Sequence, residues 1–322
     1  HLWPVASHTG PGATMIETIY ALIPVFLVIA LGAYVKRIGF PGEEFWVPLD
    51  RVTYFILFPA LLIHSLVAAD FSNIPVPNMA AALFAGLFTM SLILIALRPV
   101  ISGPMGQSGP AFTSIFQGAT RWNSFVGLAA SFALFGTEGL ALAAVGIGVL
   151  VPTVNVLCVF ILMRYAGDDP ASFRLLGRLL VRNPLVIACA VGIFLNASGI
   201  GLWAPLLSGV DILGRAALAL GLLAVGAGLD LSQFSTQRVP IAFTTTLRLI
   251  AMPLLMAGWC WVFGVDGVAR MVAILCGAVP GATASYVLAR QLGGDAPLMA
   301  SLITASTLVA MVTMPAMIWL LG

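Results

Sequence analysis

Ten stretches of about 20 mostly apolar residues follow one another along this chain, and they constrain its fold more than any other feature. A helix needs about 20 such residues to cross the hydrocarbon core of a bilayer. Only 8% of the residues are charged, against roughly 25% in a soluble domain, so the chain cannot cover a water-facing surface. We therefore predict an all-α integral membrane protein. Its predicted spans are Met15–Val35, Phe45–Ala68, Met79–Val100, Ala111–Gly136, Leu140–Met163, Leu180–Gly199, Val210–Leu229, Pro240–Phe263, Val268–Gln291 and Ala296–Leu321.

The distribution of basic residues predicts how these spans are oriented. Cytoplasmic loops carry an excess of Lys and Arg, and on this chain the basic residues crowd at one side of the predicted bundle. That side is predicted to be cytoplasmic, with both termini outside. The residues on it are Lys36, Arg37, Arg98, Arg164, Arg174, Arg178, Arg182, Arg238 and Arg290.

Composition and motifs exclude several classes of function. The net charge of +2, without a basic run, argues against nucleic acid as a partner. The four cysteines lie inside apolar runs without CxxC spacing, so neither disulfides nor a metal site are predicted. An intramembrane enzyme would need a nucleophile and base, or metal ligands, facing each other. The chain has no GxSxG, no HExxH and no Walker motif, so we predict no enzyme, no cofactor and no direct use of ATP.

The two halves of the chain resemble each other at an offset of about 160 residues. IPVFLVIALGAYVKRIGF aligns with NPLVIACAVGIFLNASGI, and GATRWNSFVGLA aligns with GAVPGATASYVL. The spacing of several matched positions in one stretch supports an internal repeat. These positions are Pro24 with Pro184, Gly32 with Gly192 and Gly39 with Gly199, followed by Asp50 with Asp211.

The repeat has a geometric consequence. Each half holds five spans, so the second half enters the membrane from the opposite face, which is the inverted-topology architecture of many secondary transporters. We predict one five-helix repeat over residues 15–166 and another over residues 180–322, joined by a cytoplasmic linker at 167–179. Residues 1–14 are interpreted as a disordered lead, a tag remnant or an extended start, not as a signal peptide.

The fourth and ninth predicted spans are interrupted near their middles. The run Gln117–Ser124 is polar, and the run Gly277–Thr283 packs Gly, Pro and Gly together. Proline removes a backbone donor and glycine tolerates open backbone. Unwound backbone at this depth is tolerated only where it is buried in protein or lines a wet cavity. Both runs are predicted to be unwound and to mark a substrate site near the midplane.

Several motifs resemble the auxin efflux carrier family, including its bacterial malonate and malate permeases. They are FQGATRWNSFVGLAASFALFG followed by VLVPTVNVL, then RNPLVIACAVGI, TLRLIAMPLL and CGAVPGATASYVLARQ. The resemblance covers nearly the whole chain from Met15. It implies ten helices in two inverted five-helix repeats, with broken fourth and ninth helices that cross near the substrate. It also implies a multi-pass protein of a bacterial inner membrane, with both termini periplasmic.

The resemblance transfers roles to four positions. Asn123 matches the asparagine at the fourth-helix break, and Pro280 matches the proline at the ninth-helix break. Asn155 matches an asparagine of the fifth helix that faces the pocket, and Arg121 matches a basic residue common in bacterial members. We expect Asn123 to donate to a substrate carboxylate and the half-helix beginning near Ser124 to aim its N-terminus at it. Both asparagines could instead only join helices by hydrogen bonds.

Ionisable residues inside a membrane are functional candidates by default. Arg121 either caps broken backbone or contacts the anion, and Arg248 either attracts anions or neutralises a carboxylate such as Asp50 or Asp211. His64 is interpreted as an interfacial histidine, with a proton relay as the alternative. The remaining predicted lining residues of the pocket are Gly281, Gln117, Ser285 and Tyr286.

These observations predict a secondary transporter that moves a small organic anion by alternating access. The substrate would be a carboxylate, with dicarboxylates and auxin-like acids as candidates. The alternatives are a sodium-coupled transporter similar to bile acid symporters and a non-transporting membrane sensor on the same fold. The sequence leaves open whether a proton or sodium is coupled, the direction of transport and the oligomeric state, with a homodimer among the candidates.

Overall fold

The secondary structure consists of helices and one isolated bridge over the residues that the structure, a computed structural model, describes: 14–71, 76–166, 182–200, 203–229 and 237–322. The predicted linker at 167–179 and all but the last residue of the predicted lead lie outside these ranges. The helices are α1 Met15–Arg37, α2 Glu43–Val67, α3 Val76–Ala96, α4 Arg98–Ser102, α5 Gly109–Thr120, α6 Ser124–Tyr165, α7 Pro184–Ser198, α8 Ala204–Ala227, α9 Arg238–Val262, α10 Gly267–Ala278, α11 Ala284–Gln291 and α12 Ala296–Leu321.

Within the described ranges, seven helices are long and apolar enough to cross a membrane: α1, α2, α3, α6, α8, α9 and α12. Two more, α7 and α10, are apolar but shorter, with 15 and 12 residues. These helices confirm the prediction of an all-helical integral membrane protein. Ten crossings in two inverted repeats stay a prediction at this point.

The longest helix, α6, is two helices joined at a sharp kink. Gly136 inside it has φ 60° and ψ −144°, a backbone conformation that glycine adopts without steric cost. The kink separates residues 124–135 from residues 137–165. It falls between the fourth and fifth predicted spans, which were divided after Gly136.

Two other long helices widen for one turn ahead of a proline. The π-helical turns are Thr53–Leu57 in α2 and Leu247–Ala251 in α9, and Pro59 and Pro253 follow them at the same spacing. A proline ring clashes with the carbonyl one turn earlier and offers that carbonyl no N–H. The wider turn accommodates both effects, so α2 and α9 continue across the proline.

Small residues let neighbouring helices pack closely. Helix α1 packs along α8, where Gly32 lies against the backbone of Leu223, and α2 packs along α7. In that second pair a Cβ added to Gly192 would lie 2.8 Å from the Cβ of Leu66 and 3.4 Å from the Cα of Ile63. Close backbone approach of this kind is how helices associate in lipid. The two short helices α5 and α10 lie at the centre of the bundle, where most of their residues are buried.

Candidate functional site

Two unwound segments meet in the centre of the bundle, and we call this meeting point the crossover. The first segment, 121–123, separates α5 from α6, and the second, 279–283, separates α10 from α11. Trp122 forms an antiparallel bridge with Gly281, and the N–H of Asn123 donates to the carbonyl oxygen of Pro280 at 2.9 Å.

The first break is shorter than the sequence predicted. The polar run was expected to unwind from Gln117, but residues 117–120 remain helical within α5. The reason is local hydrogen bonding, since the N–H of Arg121 donates to the carbonyl of Gln117 at 2.8 Å. The hydroxyl of Thr120 also donates to the carbonyl of Phe116 at 2.6 Å. Likewise, Gly277 and Ala278 remain helical at the end of α10.

In the second break, neither Pro280 nor Gly281 leaves a backbone N–H group unpaired. Pro280 has no N–H, and the N–H of Gly281 donates to the hydroxyl of Ser306 on α12 at 3.1 Å. A Cβ added to Gly281 would lie 3.4 Å from that hydroxyl oxygen. Buried backbone groups in native proteins are nearly always paired, and here the sequence meets that requirement by removing one donor and pairing the next.

Asn123 has two functions available to its side chain. Its Oδ1 accepts hydrogen bonds from the N–H groups of Phe125 and Val126, at 3.1 and 3.3 Å, and so caps the N-terminus of α6. Its Nδ2 is buried and has no hydrogen-bond partner among the described residues. The cap therefore pairs two backbone N–H groups at the start of α6 that were expected to face a substrate. The side chain keeps one free donor, its Nδ2.

Further buried polar groups without partners lie on the helices around the crossover. Both amide atoms of Gln117 on α5 are unpaired among the described residues, as are the hydroxyls of Ser285 on α11 and of Thr244 and Thr245 on α9. Helix α5 packs against both α9 and α11, and a Cβ added to Gly118 would lie 2.9 Å from the Cγ2 of Thr244. An unsatisfied buried polar group costs about 1–3 kcal/mol, so a cluster of them indicates a site for a polar ligand.

Thr244 and Thr245 were not predicted from the sequence. The available signal was the run of three threonines, Thr244–Thr246, in the middle of an apolar span. Threonine is common in membrane helices, where it bonds to its own backbone. Only the packing of α9 against α5 distinguishes the two buried residues from the third, whose hydroxyl donates to the carbonyl of Ala242.

Arg121 and Asn155 border the crossover on the side of α6. Arg121 is half-buried at the carbonyl end of α5, and its Nε and Nη1 have no partner among the described residues. The hydroxyl of Thr120 lies 3.8 Å from the thiol of Cys158. Asn155 is buried one turn before Cys158 on α6, so both residues face the same side of that helix. A positive charge at a helix C-terminus is favourable, and the unpaired nitrogens leave Arg121 able to bind an anion.

Arg248 does not pair with a carboxylate of the described residues, which was one of the two roles that the sequence left open. Its Nε donates to the carbonyl of Val279 at 2.8 Å, and its Nη2 donates to the carbonyl of Cys276 at 2.9 Å. Asp211 pairs instead with Arg215 on its own helix, one turn away. The alternative in which Arg248 neutralises Asp50 or Asp211 is therefore wrong for the described residues, and the guanidinium bonds to the carbonyl end of α10.

A second polar region lies away from the crossover, at the end of α2. A cavity of about 440 Å³ there is lined by residues that include His64, Asp70 and Glu138. His64 is half-buried, and its Nε2 lies 3.8 Å from a carboxylate oxygen of Asp211. His64 is thus separated from the crossover residues and belongs to a different polar group.

Comparison with known proteins shows that most of the chain is similar to transporters. The family described as "Membrane transport protein" matches residues 18–318. An uncharacterized transporter from Methanothermobacter thermautotrophicus is 26% identical over 305 residues, which cover 91% of this chain and 95% of that protein. The sodium/bile acid cotransporter 4 of Mus musculus is 30% identical over 119 residues, which cover 36% of this chain and 27% of the cotransporter.

Proposed function

The chain belongs to the membrane transport protein family, which is auxin efflux carrier-like, and from that premise we propose that it is a secondary transporter of a small organic anion. The anion is a carboxylate of the malonate or malate class. It binds at the crossover and is released on either side of the membrane by alternating access. The site lies between the two broken helices.

One observation carries this proposal: the two unwound segments meet, and unpaired donors are buried beside their meeting point. Secondary transporters bind substrates at discontinuous helices near the midplane, where repeats meet. The donors here are the Nδ2 of Asn123, the amide of Gln117 and the guanidinium of Arg121. Donors and a cation suit a carboxylate, which accepts hydrogen bonds when ionised.

The proposal includes two inverted five-helix repeats, over residues 15–166 and 180–322. The alignment that sets Gly118 against Gly277 also sets Trp122 against Gly281, the two residues of the bridge. A pair of equivalent residues in contact is expected where a pseudo-two-fold axis passes between repeats. The ends of two helices support the same axis. Helix α5 ends shortly before Trp122, and α10 ends shortly before Gly281.

The close contacts of two matched glycines also support the repeats. Gly32 of α1 lies against Leu223 of α8, and Gly192 of α7 lies against Ile63 and Leu66 of α2. Exchanging the halves turns the first pair of helices into the second. The distribution of arginines supports placing both termini in the periplasm of a bacterial inner membrane.

A sodium-coupled transporter of bile-acid-like anions is the second candidate. It is favoured by the similarity of 119 residues to a sodium/bile acid cotransporter. The match covers little more than a third of this chain, whereas the membrane transport protein family spans residues 18–318. We therefore place the malonate and malate class first and use sodium dependence to separate the two candidates.

The experiment is flux into proteoliposomes that contain the purified protein. The panel holds malonate, malate, indole-3-acetate and taurocholate, each assayed with and without imposed pH and sodium gradients. Uptake of malonate or malate above that of protein-free liposomes is expected. Sodium-dependent uptake of taurocholate alone would establish the second candidate, and flux of none of the four would contradict the proposal.

A further inference from the structure

Arg248 is a cation buried at the middle of a membrane helix. It lies near the centre of α9, and only 1% of it is exposed. An ionisable residue at this depth is costly and is a functional candidate by default. Among the described residues, the titratable side chain in electrostatic contact with it is the thiol of Cys276, which is uncharged at neutral pH. No carboxylate of the described chain offsets its charge.

The guanidinium is fixed on the carbonyl end of the broken helix. The last carbonyls of a helix lack intrahelical partners, and Arg248 donates to those of Cys276 and Val279. The next carbonyl along the chain, that of Pro280, accepts from Asn123. Arg248 and Asn123 therefore hold adjacent peptide units of the same unwound segment, one from α9 and one from the first break.

The sequence of α9 explains how the side chain reaches that position. Arg248 lies in the wide turn that precedes Pro253. Pro253 itself contacts α10, because a Cβ added to Gly277 would lie 2.8 Å from the Cα of Pro253. Because Gly277 has no side chain, α9 and α10 approach closely. The wide turn shifts Arg248 out of regular helical register and brings it beside the end of α10.

The charges at the crossover do not cancel. Two carbonyl ends, of α5 and α10, and two amide ends, of α6 and α11, meet there. Each helix end carries about half an elementary charge, so the four ends nearly offset one another. The full positive charge of Arg248 then remains, beside the unpaired donor of Asn123 and in addition to the half-buried Arg121.

We infer that Arg248 is a positioning residue that makes the crossover selective for anions: it holds the end of α10 in place and supplies a fixed positive charge without contacting the substrate. The inference rests on the proposed function, because it presumes that the crossover binds an organic anion. It separates two tasks. Asn123 recognises the carboxylate by contact, and Arg248 sets the sign of the charge that the site accepts.

The test neutralises this charge in two independent ways. Arg248→Gln removes it. Cys276→Asp leaves the guanidinium in place and sets a carboxylate beside it. Cys276→Asn is the uncharged control for that variant, because asparagine and aspartate have nearly equal volumes. Arg248→Lys keeps the charge, and Arg238→Gln removes an exposed arginine from the same helix. Binding of malonate, malate and indole-3-acetate is compared with binding of their neutral amides, in purified protein at one pH.

The measured quantity is the ratio of the affinities for an acid and for its amide. Arg248→Gln and Cys276→Asp should each lower this ratio about tenfold or more, as expected when a unit charge is removed from a region of low dielectric constant. Cys276→Asn, Arg248→Lys and Arg238→Gln should leave it within about threefold of the parent. A purely structural role would change stability or both affinities together, without changing their ratio.

The outcomes separate the two proposals. An unchanged ratio in either charge variant overturns the inference alone, as does an equal fall in Cys276→Asn, which would indicate packing rather than charge. Should both charge variants fail to fold, Arg248→Lys decides, since a changed ratio there overturns the role of charge and a preserved ratio supports it. A parent protein that binds none of the three acids overturns the proposed function and the inference with it.

Discussion

Replacing Asn123 by serine separates the two functions of its side chain. The Oδ1 caps α6, and the Nδ2 is the free donor that we assign to the substrate carboxylate. Serine is about as good an N-cap as asparagine, so Asn123→Ser keeps an oxygen for the cap. Its side chain is shorter and cannot place a donor where Nδ2 lies. Asn123→Ala, by contrast, loses both the cap and the donor.

The size of the expected effect follows from these contacts. A hydrogen bond to a charged group is worth about 1.5–3 kcal/mol, which corresponds to a fall in substrate affinity of about 10- to 150-fold. Loss of an N-cap costs about 0.5–2 kcal/mol of stability. Asn123→Ser should therefore lose affinity with little loss of stability, and Asn123→Ala should lose both.

The chain offers a matched control at the start of α7. Asn183 caps that helix in the same way, with its Oδ1 accepting from Leu185 and Val186 at 3.0 and 3.3 Å. Its side chain approaches Tyr54, and no hydrogen bond joins it to the second break among the described residues. Asn183→Ser and Asn183→Ala should reproduce the stability changes seen at Asn123 while leaving affinity within about twofold.

The assay is equilibrium binding of the transported acid to purified protein, with a thermal melt of each variant in the same detergent. Parental affinity in Asn123→Ser, together with weak binding in Asn123→Ala, would refute the reasoning. That result would show that Asn123 matters only because it caps α6. The carboxylate would then have to be bound by Gln117 or Arg121.

Three further predictions follow from the packing and the charge distribution. Gly277→Ala should lower stability by about 1–3 kcal/mol, since its Cβ would lie 2.8 Å from the Cα of Pro253. Gly258→Ala, whose Cβ would meet nothing within 4 Å, is its control in the same thermal melts, and equal effects would contradict the contact. Pro280→Ala should insert and fold but lose flux in proteoliposomes, because the restored N–H favours a continuous helix; undiminished flux would remove this break from the mechanism. A cysteine at Ser172, against a background of four native cysteines that are all buried, should resist an impermeant thiol reagent applied outside intact cells, whereas ready labelling would reverse the proposed orientation.

The two breaks were predictable from the sequence to different degrees, for a physical reason. Pro280 and Gly281 act through the backbone, so their effect is local and visible in the residue types themselves. In the first break no residue forbids a helix. Where it ends depends on how Thr120 and Gln117 bond to neighbouring backbone and on the partner that Asn123 finds in Pro280. The sequence therefore located the break but extended it too far into α5.

The partner of Arg248 was not predictable for a different reason. A buried arginine suggests a carboxylate, and carboxylates can be found in a sequence. The negative end of a broken helix is made of backbone carbonyls and leaves no residue type to recognise. The predicted break in the ninth span was the available clue, because a break creates a carbonyl end, and the side-chain pattern does not show that this end lies beside Arg248.

The two breaks contribute different groups to the crossover, although the alignment of the two halves sets them at matching positions. The first is built from side chains: Asn123 caps a helix, Arg121 carries a charge, and the indole of Trp122 fills space that Gly127 leaves open, where a Cβ would lie 2.6 Å from the ring. The second is built from backbone, through Pro280 and Gly281. Substitutions in the first break should therefore change mainly the affinity for the anion. Those in the second should change mainly the rate of exchange between conformations. They leave the contacts of the substrate intact but alter the unwound backbone on which alternating access depends.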